Sequence, residues 1–138
     1  MVATSGNDTD VDGRGGADTI CGLAGNDTLK GGNGNDTIVG GDGADTVQGE
    51  GDSDTLTGDE GNDTVEGGNG DDIAYGGNGD DTVKGDGNTD TVYGDAGTDT
   101  VEGGSGDDTV YGGSGNDTVK GDGGANTLYG EAGNDSLT

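Results

Sequence analysis

From Gly13 to Thr138 one nine-residue pattern repeats without a slip, and its eighth position is apolar every time. That column reads Ile20, Leu29, Ile38, Val47, Leu56, Val65, Ala74, Val83, Val92, Val101, Val110, Val119, Leu128 and Leu137. Polar residues mostly flank it: position seven is Thr in twelve of the fourteen copies, interrupted only by Ile73 and Ser136. A β-branched triplet with one apolar side chain between two outward ones is a very short strand of period two. Nothing recurs at helical spacing, so no helix is expected.

Glycine marks the other half of the unit. Of the 37 glycines, 36 fall at positions one to four and none at positions five to nine, which predicts a turn over the first four positions and a strand over the last three. Position one is Gly in all fourteen copies and position six is Asp in thirteen, with Asn126 the exception. The strict period makes this an all-β repeat protein, to which ordinary domain reasoning does not apply. Residues 1–12 read as a lead-in with an irregular first repeat, and residues 13–138 as the fourteen-repeat array. Gly6-Asn7-Asp8-Thr9 copies the second half of a repeat, but Asp8 lies ten residues before Asp18 rather than nine. An insertion around Asp10-Val11-Asp12 therefore makes the first turn irregular and its edge prone to fray.

A longer period lies on the short one. Gly49 to Lys84 and Gly85 to Lys120 match at 24 of 36 positions, so four nonapeptides form the larger unit. Within it two loops carry Gly at position two and two carry an acid, as at Glu50, Asp59, Asp86, Asp95, Asp122 and Glu131. In the first block Arg14 and Leu23 stand where those acids would be.

Composition adds a constraint that the pattern alone does not. Thirty Asp and Glu oppose four Lys and Arg, for a net charge of -26, and only 23% of residues are hydrophobic. Without counterions this is the composition of a disordered acidic chain. Binding nucleic acid requires cationic side chains for phosphates, so no nucleic acid partner is expected. No stretch has the apolar length of a membrane span or the layout of a signal peptide, so no membrane insertion is expected either. There is no His, and Cys21 has no base to pair with, so no catalytic constellation exists and the chain is read as not an enzyme. Cys21 is expected to face outward, as a reduced bystander in preference to an intermolecular link.

Gly-Gly-x-Gly-x-Asp-x-U-x, where U is a bulky apolar residue, stands almost letter for letter at Gly31 to Val39, Gly67 to Tyr75, Gly76 to Lys84, Gly103 to Tyr111 and Gly112 to Lys120. It resembles the RTX, or haemolysin-type, calcium-binding repeat. The resemblance implies a right-handed parallel β-roll with two repeats per coil and about seven coils, successive repeats lying on opposite sheets. It further implies calcium between neighbouring loops of one edge, held by position-six carboxylates and loop carbonyls, since calcium takes six to eight oxygens. On this chain one edge would use Asp18, Asp36, Asp54, Asp72, Asp90, Asp108 and Asn126. The other would use Asp27, Asp45, Asp63, Asp81, Asp99, Asp117 and Asp135. One ion per gap gives roughly twelve, and their charge nearly cancels that of the chain. Asn126, and Asp52 and Asn88 at position four, mark the loops expected to bind differently.

The resemblance also implies a secreted, extracellular module that stays unfolded at low calcium and folds outside the cell as a rigid, secretion-associated segment, with export through a type I channel common in the family. The alternative is a calcium-dependent polysaccharide- or surface-binding, adhesin-like module. Position nine splits between the two sheets, with Cys21, Val39, Thr57, Tyr75, Tyr93, Tyr111 and Tyr129 on one and Lys30, Gln48, Glu66, Lys84, Glu102, Lys120 and Thr138 on the other. The tyrosines are either mutually supporting strand residues or a platform for a glycan. The Thr rows suggest ice binding only weakly, because ice-binding relatives carry Thr inside the loop and no position two or three here is Thr. The repeat runs to Thr138 with no capping segment, so either a fragment of a longer protein or an open strand edge prone to end-to-end self-association is expected.

Overall fold

The computed structural model describes residues 5–138, so part of the N-terminal lead-in, Met1 to Thr4, lies outside the described residues. Two parallel sheets face each other and the chain alternates between them. The odd-numbered strands form one sheet in the order β1 (Val11–Asp12), β3 (Thr28–Asn33), β5 (Thr46–Gly51), β7 (Thr64–Asn69), β9 (Thr82–Gly87), β11 (Thr100–Ser105), β13 (Thr118–Gly123) and β15 (Ser136–Leu137). The even-numbered strands form the other, running from β2 (Thr19–Ala24) through β4 (Thr37–Asp42), β6 (Thr55–Glu60), β8 (Ile73–Asn78), β10 (Thr91–Ala96) and β12 (Thr109–Ser114) to β14 (Thr127–Ala132). Each strand pairs with the one two places on, in a register of eighteen residues, as Tyr93 with Tyr111 and Glu102 with Lys120. The architecture is an all-β parallel roll about seven coils long, as the resemblance to the RTX repeat implies.

The strands are longer than the triplet predicts. Each full strand has six residues and runs on from position nine through the glycine of position one to position three. The turn is thereby confined to positions four to six, a correction to the reading of the glycine-rich half as loop. The glycine at position one serves close approach rather than bending. A Cβ on Gly85 would stand 2.5 Å from the Oδ2 of Asp90 and 2.6 Å from the carbonyl oxygen of Gly103 in the next coil, distances no side chain tolerates. Position two does bend the strand, and every non-glycine residue there has positive φ, from 61° at Asp122 to 88° at Asp59. Those residues hold a left-handed conformation that L side chains ordinarily avoid.

Position eight fills the narrow space between the sheets. Ile20, Ile38, Leu56, Val92 and Val110 from one sheet and Leu29, Val47, Val65, Val83, Val101 and Val119 from the other have no exposure at all, and Ala74 has 1%. Val11 and Leu128 pack against the ends of this file. Each buried side chain contributes about 1.5–3 kcal/mol, and among the described residues the apolar core is one inward residue per strand.

The irregular first turn is built into the roll. Val11 pairs with Leu29 at the ordinary spacing of eighteen, while the amide of Asp8 donates to the Oδ1 of Asp27 across nineteen. The inserted residue therefore lies between Asp8 and Val11, and the pairing on both sides of it is kept.

Candidate metal centre

Position six follows the two-residue bend and precedes the Thr that restarts the strand, so its side chain turns inward at the rim of the core. There its Oδ1 accepts a hydrogen bond from the amide of the position-six residue one coil earlier. On one edge these bonds run from Asp18 to Asp36, Asp54, Asp72, Asp90, Asp108 and Asn126 at 2.7–3.0 Å. On the other they run from Asp8 to Asp27, Asp45, Asp63, Asp81, Asp99, Asp117 and Asp135 at 2.8–3.0 Å. All fourteen residues that the sequence singles out are thus brought into two unbroken ladders. Asn126 keeps its rung, because its Oδ1 accepts from Asp108 at 2.8 Å.

Asp8 belongs to the second ladder and the nonapeptide register misses it. The signal was present in Gly6-Asn7-Asp8-Thr9, but the one-residue insertion put it out of phase with the periodic count.

The second carboxylate oxygen is the chemically informative one. In Asp27, Asp36, Asp45, Asp54, Asp63, Asp72, Asp81, Asp90, Asp99, Asp108 and Asp117 the Oδ2 is buried without any hydrogen-bond partner. These eleven side chains are only 1–3% exposed. Burial, opposed by the amide bond and reinforced by neighbouring carboxylates, pushes Asp54 and Asp63 up to about 6 and Asp90 and Asp99 up to about 7. Asp45, Asp72, Asp81 and Asp108 are raised for the same first reason. A file of buried, mutually repelling carboxylates is stable only if a proton or a cation neutralises it.

The donor set suits a hard cation. Among the described residues no three acidic side chains converge on one point. Main-chain oxygens stand near the orphaned Oδ2 instead: beside Gly76, the space a Cβ would fill is bounded by Asp81 Oδ2 and by the carbonyl of Gly94, both at 2.6 Å. Carboxylate and carbonyl oxygens converging without nitrogen or sulfur match calcium chemistry and not that of zinc or copper.

Outside this layer, position five builds a second, exposed ladder that runs in the opposite sense. Asn62 Oδ1 accepts from the amide of Asp80 at 3.1 Å, and Asp80 Oδ1 in turn accepts from Thr98 at 2.9 Å. Asp52 and Asn88 line a polar cleft with Asn35, Ser53, Asn69 and Asp71 on the edge that carries Asp54 and Asp72. Both hold positive φ, 73° and 84°, where other repeats have Gly, so the departures at position four reshape the rim without breaking the ladder.

The outward columns divide as the alternation requires. Lys84 pairs with Glu66 at 3.7 Å and Lys120 with Glu102 on the eight-stranded sheet. On the seven-stranded sheet the rings of Tyr75, Tyr93, Tyr111 and Tyr129 stack at centroid separations of 4.7–4.8 Å. Their faces cover one another, which leaves edges and hydroxyls to meet any ligand. Cys21 is half-buried at one end of the same rank and carries a free thiol.

No curated protein matches the chain. The family model of the RTX calcium-binding nonapeptide repeat matches residues 1–29, 12–47, 30–65, 66–101 and 102–137. Those matches span nearly the whole sequence and coincide with the coils whose ladders are described above, so the chain belongs to the family of RTX calcium-binding nonapeptide repeats.

Proposed function

We propose that this module takes up calcium in the gaps between successive position-six carboxylates, and that uptake is what folds it. The observation that carries the reading is the row of eleven buried Oδ2 atoms with no partner. Six gaps lie on one edge and seven on the other once Asp8 is counted. One divalent ion in each would match the net charge of -26. When bound, calcium supplies the positive charge that this interior lacks. The chain's own part is to present Asp oxygens and loop carbonyls and to exclude water with the position-eight file.

Binding to the folded state alone stabilises it by RT ln(1 + [L]/Kd) at every site, so many weak sites produce a steep transition. Extracellular calcium modules bind at about 10⁻⁴–10⁻³ M, far above cytosolic calcium, which supports a secreted module that becomes a rigid rod only outside the cell. The test is a calcium titration followed by circular dichroism alongside equilibrium dialysis. The expected result is a chain lacking strand signal in chelator, a sharp gain of strand at millimolar calcium, and uptake of many ions per chain. Magnesium is expected to be a poor substitute, because it demands rigid octahedral geometry and gives up water reluctantly. Negligible calcium uptake at millimolar concentration would overturn the proposal.

A further inference from the structure

The geometry points to a covalent modification site on the outer face of the seven-stranded sheet: neighbouring phenols of Tyr75, Tyr93, Tyr111 and Tyr129 are placed to join pairwise as dityrosine and staple the coils together. The four stand in register on adjacent strands, Tyr93 opposite both Tyr75 and Tyr111, and Tyr111 opposite Tyr129. Their centroids are 4.7–4.8 Å apart and their planes lie within 6–10° of parallel. The rings therefore lie face to face on neighbouring rungs, and a turn of each about its Cβ–Cγ bond brings the carbons beside the hydroxyls together. The strands that carry them are pinned by the buried Ala74, Val92 and Val110 on the inner face and by the Asp72–Asp90–Asp108 ladder at the rim.

The phenols are accessible. Tyr129 is 45% exposed and the other three are half-buried. The step needs a one-electron oxidant of the haem-peroxidase class, driven by hydrogen peroxide. Each of two phenols gives up one electron and its hydroxyl proton, and the two radicals form one carbon–carbon bond between the ring positions next to oxygen. The hydrogens on those carbons then move through solvent to the oxygens and restore both rings. Hydrogen peroxide is reduced to two waters, and the product has one hydrogen fewer per ring. The bond bridges residues eighteen apart, so it preserves the register after calcium is withdrawn. The inference rests on the calcium reading only for the conditions under which the sheet forms.

Two variants with equal numbers of tyrosines test it. Tyr75→Phe with Tyr129→Phe leaves Tyr93 and Tyr111 on adjacent rungs. Tyr93→Phe with Tyr129→Phe leaves Tyr75 and Tyr111 separated by a phenylalanine rung. Each is treated in calcium with peroxidase and hydrogen peroxide, after circular dichroism has established the fold, and cross-linked peptides are mapped by mass spectrometry. Intrachain dityrosine is expected in the first and absent from the second. Phe keeps a ring at every rung; should either variant fail to fold, the unaltered chain decides, with links expected only between adjacent rungs. Equal yields from the two variants, a Tyr75–Tyr111 link in the unaltered chain, or links chiefly between copies would overturn the inference.

Discussion

The Oδ1 of Asp90 accepts the amide hydrogen of Asp72 at 2.8 Å, while the Oδ2 of the same carboxylate is buried without a partner. One oxygen is structural, and in the proposed reading the other is left for a cation. Asp90→Asn keeps the first and removes the charge, as Asn126 already does in its own rung. The expected outcome is a crossover: the variant has more strand than the parent in chelator, and needs more calcium to complete the transition. Asp90→Ala removes both oxygens and strands a buried amide, which costs about 1–3 kcal/mol in calcium as well. Denaturant titrations of both variants, with and without calcium, check this.

Acid should favour the metal-free fold. Asp54 and Asp63 are pushed up to about 6 and Asp90 and Asp99 to about 7, from an ordinary 3.8. Between those limits the folded state holds more protons than the unfolded one, so stability falls as pH rises. In chelator, strand content is expected to grow as pH drops from about 7 toward about 4. In calcium the dependence reverses, because protons then compete with the metal for the same oxygens. Circular dichroism across that range in the two conditions is the measurement, and equal slopes would contradict it.

Two glycine substitutions should move stability in opposite directions. In Gly85→Ala the new methyl would meet Asp90 Oδ2 at 2.5 Å and the Gly103 carbonyl at 2.6 Å, and overpacking of that kind costs about 1–3 kcal/mol. In Gly51→Ala the nearest atom is the Gly32 carbonyl at 3.7 Å and the backbone has no positive φ. That variant is expected to gain about 0.4–1 kcal/mol by restricting the unfolded chain. Midpoints of thermal unfolding in saturating calcium compare the two.

The core is a single file, so truncation within it has no second layer to relax into. Ile38 is fully buried between Ile20 and Leu56 on its own sheet. Ile38→Ala is expected to destabilise the calcium-bound roll by about 2–5 kcal/mol. Because the coils are coupled through their neighbours, the loss should also raise the calcium concentration at the folding midpoint. A variant that titrates like the parent would show that the coils fold independently.

The nine-residue period determined most of this protein before any coordinates. Alternation around position eight requires strands, and an unbroken count from Gly13, joined to the two repeats per coil that the RTX resemblance implies, assigns residues to sheets and edges, so the two Asp ladders and the Tyr and Lys columns were legible in the chain. Only the tertiary structure decided what depends on contact between coils. Glycine at position one looked like a turn because composition reports backbone freedom, yet Gly85 lies within a strand, where the neighbouring coil's carbonyl and its own repeat's carboxylate leave no room for a Cβ. Asp8 entered the ladder because spatial registration at Asp27 overrode a count that was one residue out. The division of each carboxylate into one bonded and one orphaned oxygen could not be read from a period, since it arises when an amide eighteen residues away reaches one oxygen and the packed interior keeps water from the other.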